Sequence, residues 1–323
     1  MKRRVLGRTG LAVGEIGFGA WAIGGNRHGN SYGTTDDAES RRAVRRAFEL
    51  GCTFFDTADV YGLGRSEELL GAELRDVRDR VVIATKVGGN FYKRDVHPLL
   101  VDRISQMLDV PFDRIPADAP LPVTHDTNFS RGYVRFAVER SLERLGTDYI
   151  DLLQLHNPVL AHISNLELYA VLEELKREGK IRLYGVSVHT PEEGRAAINA
   201  TMPETVQIVY NLARREAEEA FFPAARAAGI GVIVREPLAN GFLAGKYAPD
   251  RTWEKGDIRA RMPRPYVQQL TALGQRVREL ADKAGTSAAQ LALRFVLDQP
   301  AVSVVIVGMK TVKQVDENLG GEA

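Results

Sequence analysis

Three apolar runs in this chain each end in an ionisable side chain. Together they supply a carboxylate, a phenol, an ammonium and an imidazole. The first run is Thr53-Phe54-Phe55-Asp56, followed at once by Thr57-Ala58-Asp59-Val60-Tyr61-Gly62. The second is Val81-Val82-Ile83-Ala84-Thr85-Lys86, and the third is Tyr149-Ile150-Asp151-Leu152-Leu153-Gln154-Leu155-His156. A phenol titrates near ~10, too high for easy proton donation at neutral pH, but a neighbouring ammonium favours the phenolate and lowers that value. Asp56 would keep Lys86 charged and oriented, Tyr61 would fold back over the mouth of its strand, and His156 would hydrogen-bond a substrate oxygen. Such a set polarises and protonates a carbonyl while a hydride arrives from elsewhere. No side chain is a hydride donor, so a nicotinamide cofactor is implied.

These groups meet only if the runs are strands whose ends converge. Glu15 to Ala20 reads as a first core strand, followed by runs at 53–56, 81–86, 149–155, 181–187, 205–210, 230–234 and 302–307. Helical periodicity falls between them: a helix capped by Asp36 and ended by Gly51, one starting near Ser66, and one from Arg131 to Leu145 with Val134, Val138, Leu142 and Leu145 on one face. Others are expected at 165–178, from Thr190-Pro191, at 216–228, near 265–283, at 287–298 and at 311–319. Met1 to Val13 reads as a small hairpin turning at Thr9-Gly10. Continuous apolar strands suit a parallel sheet covered by helices. Eight such units predict a closed (β/α)8 TIM barrel with long loops on the catalytic face, in preference to an open doubly wound sheet. No repeat or low-complexity linker interrupts the 323 residues, so a single domain over 1–323 is expected.

Composition narrows the partners. The net charge of +1, with both signs interspersed, gives no electrostatic case for nucleic acid or a membrane surface. No apolar stretch is long enough for a membrane helix, and the N-terminus shows no signal-peptide pattern. The one cysteine, Cys52, reads as a buried inert thiol. A reducing cytoplasm is therefore expected, and the glycosylation-like triplets at Asn128 and Asn199 carry little weight.

At this point the sequence resembles the aldo-keto reductases, from Gly7 to Asn318. The resemblance is carried by Phe55 through Gly62, Ala84-Thr85-Lys86-Val87-Gly88, Asp148 through His156, Tyr184-Gly185-Val186-Ser187, and Gly308 through Asn318. It implies that Tyr61 is the general acid, Lys86 and Asp56 its tuning partners, and His156 the residue that orients the carbonyl. It also implies reduction of an aldehyde or ketone, a sugar or pathway intermediate among them, by NADPH (NADH remaining open) lying across the barrel mouth. Ser187 and Gln207 match side chains that hold the carboxamide, while Val188 stands where many members have Asn. Arg235 falls where a ring-stacking Tyr is common; a guanidinium also stacks. Leu238, Gly241, Leu243, Gly245 and Lys246 lie in the loop that would embrace the pyrophosphate. Gly308, Lys310, Gln314, Glu317 and Asn318 resemble the adenosine pocket, with Lys310 facing a 2′-phosphate. Trp21 is expected to wall the substrate pocket.

Other readings were weighed. Gly17-Phe18-Gly19-Ala20-Trp21-Ala22 satisfies a loose dinucleotide pattern, but no helix follows it, so it is not taken as one. His28, His97, His125, His162 and His189 lack metal-ligand spacing; no metal site is expected, and they read as solvent or loop residues. Asp59 and Asp151 are assigned no chemistry. A nicotinamide-binding regulatory subunit with little turnover, and a Schiff-base lyase acting through Lys86, are the rival functions. The segment from Gly88 to Phe129 exceeds the family pattern, and a short helix near 99–109 and a role as a substrate lid are expected of it. The chain stops at Ala323, where many members continue. Oligomeric state stays open.

Overall fold

The computed structural model describes residues 1–25, 31–89, 127–254 and 256–320. Strands β1 (Arg3–Val5) and β2 (Ala12–Gly14) form the antiparallel hairpin expected at the start, with Arg4 opposite Val13. The barrel strands follow: β3 (Ile16–Gly19), β4 (Phe54–Asp56), β5 (Val82–Val87) and β6 (Ile150–His156). Its second half comprises β7 (Ile181–Ser187), β8 (Thr205–Val209), β9 (Gly231–Arg235) and β10 (Val302–Gly308). All pair in parallel, and β10 closes onto β3 with Ile306 opposite Gly17. The (β/α)8 barrel is therefore realised.

Helices cover the outside: α1 (Asp37–Glu49), α2 (Arg65–Leu74), α3 (Arg131–Leu145), α4 (Leu160–Ile163) and α5 (Leu166–Arg177). The rest are α6 (Pro191–Thr201), α7 (Phe221–Ala227), α8 (Arg264–Ala284), α9 (Ala288–Leu297) and α10 (Val312–Leu319). Their starts follow from side-chain caps. Asp36 accepts from the Glu39 amide at 2.7 Å, and Thr190 and Glu193 form a reciprocal capping box ahead of Pro191. The helix expected over 216–228 begins only at Phe221. Pro223 has no amide proton and is tolerated only within a helix's first turn, so the helix cannot extend far upstream of it. Residues 212–220 form turns instead, anchored where Asn211 and Arg214 pair.

Because side chains alternate along a strand, each barrel strand has one face inward and one outward. Outward residues such as Phe55, Ile83, Leu153, Val186, Val232 and Val305 pack under the helices in the main core. Inward residues Phe54, Val82, Ala84, Leu152, Ile233, Val304 and Ile306 form a second cluster. The hairpin closes that cluster from below, since Leu6 and Val13 belong to it and are fully buried. Burying a side chain of this size contributes roughly 1.5–3 kcal/mol. The expected helix near 99–109 and the lid lie outside the described residues, as do His28, His97 and His125. The two flanks of that segment meet: Gly89 bridges Thr127, and the Tyr133 hydroxyl donates to the Gly89 carbonyl.

Candidate active site

The inward register that buries apolar residues at the bottom of the barrel brings polar ones to the top. Phe54 is followed by Asp56, Ala84 by Lys86, Leu152 by Gln154 and then His156, Thr205 by Gln207, and Ile233 by Arg235, each two residues on and so on the same face. In parallel pairing, Lys86 lies opposite Gln154, His156 opposite Ser187, and Ser187 opposite Gln207. The residues gathered from distant parts of the sequence thus share the C-terminal mouth. Tyr61 is brought back over that mouth by a tight turn at Gly62, whose φ is +60°. A Cβ there would lie 2.1 Å from the Gly24 carbonyl oxygen, so only glycine fits.

Lys86 Nζ is fully buried and donates to Asp56 Oδ1 at 2.5 Å, to the Thr57 carbonyl at 2.7 Å and to the Tyr61 hydroxyl at 3.2 Å. The other Asp56 oxygen accepts from Gln154 Nε2 at 3.0 Å and Gln207 Nε2 at 2.8 Å. Gln207 Nε2 also donates to Gln154 Oε1, and its own oxygen accepts from Ser187 Oγ at 3.2 Å. The Tyr61 ring stacks on Trp21 with centroids 5.8 Å apart and meets His156 edge-on at 5.9 Å.

Burial acts on each of these groups in a definite direction. It pushes the Tyr61 phenol above its ordinary range, outweighing the opposite pull of Lys86. The expectation of a lowered phenol pKa is therefore corrected: the ammonium acts in the anticipated sense, but desolvation of the phenolate is the larger effect. Burial disfavours the Lys86 ammonium too, yet Asp56 and Tyr61 reverse this and hold it above the usual lysine value. His156 is driven well below the ordinary imidazole value by burial and by the charges of Lys86 and Arg235. At neutral pH the site thus holds a protonated phenol, a charged lysine and a neutral imidazole.

From Tyr61 and His156 a cleft of about 1450 Å³ runs across the barrel mouth to Gly308, Lys310, Gln314, Glu317 and Asn318. Trp21, Gln207, Arg235, Leu238, Gly241 and Lys246 also line it. Three expected contact residues do not reach its surface. Ser187 is buried behind Gln207, Leu243 is buried in a core with Phe242, Val267 and Leu270, and Gly245 forms the left-handed end of the adjacent short helical turn. Lys310 Nζ donates to the Tyr32 and Thr34 carbonyls at 2.9 Å each, and its amide donates to Gln314 Oε1 at 2.8 Å. His189, read from sequence as a loop or solvent residue, lines the cleft and contacts Arg235 at 3.0 Å.

A model of the Aldo/keto reductase family matches residues 15–322. The chain belongs to this family. It is 33% identical over 316 residues to the aldo-keto reductase YhdN of Bacillus subtilis (strain 168), a match covering 95% of this chain and 85% of the relative. Among solved structures it resembles the glycerol dehydrogenase AKR11B4 from Gluconobacter oxydans, with TM-score 0.76, 28% identity, and 99% and 90% of the two chains covered. It also resembles the holo form of the aldo-keto reductase AKR11C1 from Bacillus halodurans, with TM-score 0.74, 28% identity and the same coverage. Aldo-keto reductases are oxidoreductases that act on aldehydes and ketones with NAD(P)H, and this chain is an enzyme of that kind.

Several residues of this aldo-keto reductase's site escape a reading of the sequence. Gln154, which fixes Asp56 from the side, was detectable: it sits two residues before His156 and so shares its face. Tyr32 carries no such signal. Its hydroxyl donates to Asn240 Oδ1 at 2.6 Å across the cleft, and Ser31 bridges Asp257, so the loop after β3 meets the loop after β9 over the groove. Arg259 secures that crossing through an ion pair to Asp257 at 2.5 Å and a ring contact with Tyr32. Asn157, Glu236 and Asn240 all line the cleft with φ above +50°, a strained backbone that marks the rim. No helix among the described residues is long and apolar enough to cross a membrane.

Proposed function

We propose that this enzyme reduces an aldehyde or ketone, a sugar or pathway intermediate, to the alcohol with NADPH, using Tyr61 as the general acid. The observation that carries the reading is the fully buried Lys86, bound at once to Asp56 and to a Tyr61 hydroxyl that faces the cleft beside His156. A carbonyl oxygen held by Tyr61 and His156 would take the phenol proton as negative charge develops on it. The Lys86 ammonium then stabilises the phenolate, and Asp56 holds that ammonium in place. A neutral His156 can donate one hydrogen bond to the same oxygen without competing for the proton. NADPH supplies the hydride when bound.

The residues fit such a cofactor. The cleft exceeds the ~300–1,000 Å³ usual for drug-sized ligands and reaches from Tyr61 to Asn318. Among the described residues, the buried Arg235 Nε–H has no hydrogen-bond partner. Gln207 and Arg235 would flank the nicotinamide, Leu238, Gly241 and Lys246 the pyrophosphate, and Lys310 the 2′-phosphate. The reading is tested by following NADPH absorbance with panels of aldehydes, keto sugars and ring ketones. Turnover of none of them by a protein that binds NADPH would favour a regulatory nicotinamide-binding role.

A further inference from the structure

Arg235 ends β9 and faces the cleft. Its Nη2 donates to the Val188 carbonyl and to His189 Nδ1, each at 3.0 Å. A guanidinium can only donate, so His189 Nδ1 accepts, and both partners are neutral. Among the described residues no carboxylate forms an ion pair with Arg235, and its Nε–H is buried without a partner. Lys86 differs, because Asp56 matches its charge at 2.5 Å. One side of the reacting centre therefore carries a cation paired directly to a carboxylate, and the other a cation held by neutral acceptors, with the cleft-lining Glu193 and Glu236 near His189 but not ion-paired to Arg235.

Hydride transfer requires the donor and acceptor carbons to be in near contact. The substrate carbon is fixed by an oxygen on Tyr61 and His156, so the nicotinamide carbon must lie beside them. The Arg235 charge is felt at both residues, favouring the Tyr61 phenolate and opposing a His156 imidazolium. The nicotinamide ring is positive when oxidised and neutral when reduced. A fixed cation in its surroundings raises the free energy of the oxidised form relative to the reduced one.

From this geometry we infer that Arg235 sets the potential of the bound cofactor: its guanidinium, ion-paired to no carboxylate among the described residues, disfavours the oxidised ring, so the protein holds the reduced nucleotide more tightly than the oxidised one. The inference rests on the reading above that a nicotinamide occupies this cleft. The same charge favours the Tyr61 phenolate left when the phenol gives up its proton, which acts in the opposite sense in the reaction, so the bias is read on the cofactor alone. A neutral side chain of similar size would pack against the ring without this bias.

The experiment measures dissociation constants for NADP+ and NADPH separately, at fixed salt, in the native enzyme, Arg235→Gln and Arg235→Lys. Circular dichroism checks that both variants fold. In Arg235→Gln the ratio of the NADP+ to the NADPH constant should fall on the order of tenfold. For a two-electron couple that corresponds to a bound potential about 30 mV more reducing. Arg235→Lys, which keeps the charge, should keep the native ratio. Equal changes of both constants in Arg235→Gln would overturn the inference and leave Arg235 a packing residue. An Arg235→Lys ratio matching that of Arg235→Gln would overturn it as well, because shape rather than charge would then decide. Failure of the native enzyme to bind either nucleotide would overturn the proposed function itself, and this inference with it.

Discussion

The two ends of the barrel each bury an aspartate among cations, and only one of them faces a cleft. At the bottom, Asp151 pairs with Arg78 at 2.7 Å and Arg182 at 2.9 Å and accepts from the Ile83 amide at 3.0 Å. Both guanidiniums lie over the Tyr149 ring, at 4.0 and 3.9 Å from its centroid, and the Arg182 side chain is 60% exposed. At the top, Asp56 is tied to Lys86, Gln154 and Gln207, and every member is buried. The ingredients are alike. The difference is where the network ends: the lower one runs out into backbone and solvent, whereas the upper one gives its last hydrogen bond to Tyr61, at the wall of the cleft. A buried ion pair is thus weak evidence of chemistry until one of its bonds reaches a group that a substrate can touch.

The largest effect expected from this comparison is on stability. Asp56→Asn leaves a buried ammonium without its counter-ion, which costs about 3–5 kcal/mol when one partner of a buried pair is removed. Asp151→Asn should cost less, about 1–3 kcal/mol, because Arg182 already reaches water and Arg78 keeps its bond to the Tyr149 carbonyl. Urea unfolding of both variants measures the contrast, and equal losses would break it. The pH dependence sharpens it. Lys86 is held above 10.5 in the folded native chain, so its stabilisation is complete below 10.5 and fades as pH rises through the folded value. The deficit of Asp56→Asn should therefore be full at neutral pH and narrow in strong alkali.

Next in size is the chemistry that the upper network serves. On the proposed reading, Tyr61→Phe removes the group that would give its proton to the substrate. Carbonyl reduction should fall at least ~10²-fold in kcat/KM, the scale of positioned acid catalysis, while nucleotide binding stays close to native. Stacking on Trp21 survives the substitution, so the pocket keeps its shape. Near-normal turnover would remove Tyr61 from its role and leave the two ends of the barrel equivalent.

What could be read in the sequence follows the same division. Continuous apolar runs that each end in an ionisable residue announce both the barrel and its chemical end, because a run and its last residue are local properties of the chain. Phe54 to Asp56, Ala84 to Lys86 and Leu152 to His156 are legible on that ground. The start of α7 was misplaced because apolar spacing continues upstream of Pro223, and the proline's missing donor decides instead. The direction of the Tyr61 shift depends on burial, which no local pattern reports. Tyr32, Asn240 and Arg259 cross the cleft from loops more than 200 residues apart in part, and loop-to-loop contacts leave no periodic trace.

At the far end of the cleft, Lys310 offers a smaller test. As a charge-assisted donor to a 2′-phosphate it would contribute roughly 1.5–3 kcal/mol, or about ten- to a hundredfold in affinity. In this structure two of its three N–H donors already serve the Tyr32 and Thr34 carbonyls, so a phosphate must compete for those two. Lys310→Ala is therefore expected to weaken NADPH by the lower part of that range and to leave NADH almost unchanged. Titration of intrinsic fluorescence with each nucleotide measures it. Equal weakening of both would assign Lys310 to holding the loop rather than to reading the phosphate.

The smallest expected effect has the opposite sign, and it comes from an acid three residues beyond Asp56. Asp59 is fully buried like Asp56, but among the described residues its carboxyl oxygens have no side-chain hydrogen-bond partner, and the Val60 amide and the charges of Arg144 and Lys86 offset its burial only in part. Its neighbour Glu67 is also buried, and already satisfied by Arg144 at 2.7 Å and Thr85 at 2.6 Å. Burial, then the Glu67 charge, push Asp59 well above the ordinary 3.8. Above pH 3.8 the unfolded chain releases this proton while the folded chain retains it, so folding is penalised increasingly until the folded value is reached. Asparagine cannot ionise and escapes that penalty. Asp59→Asn should therefore melt higher than the native enzyme at pH 7, with the gap closing as pH falls towards 3.8. Asp56→Asn and Asp151→Asn should both melt lower at pH 7. Thermal scans of the three variants from pH 4 to 7 separate the cases. A lower melting temperature for Asp59→Asn at pH 7 would mean that Asp59 is ionised and paired in solution, and that the upper network extends one acid further than its hydrogen bonds indicate.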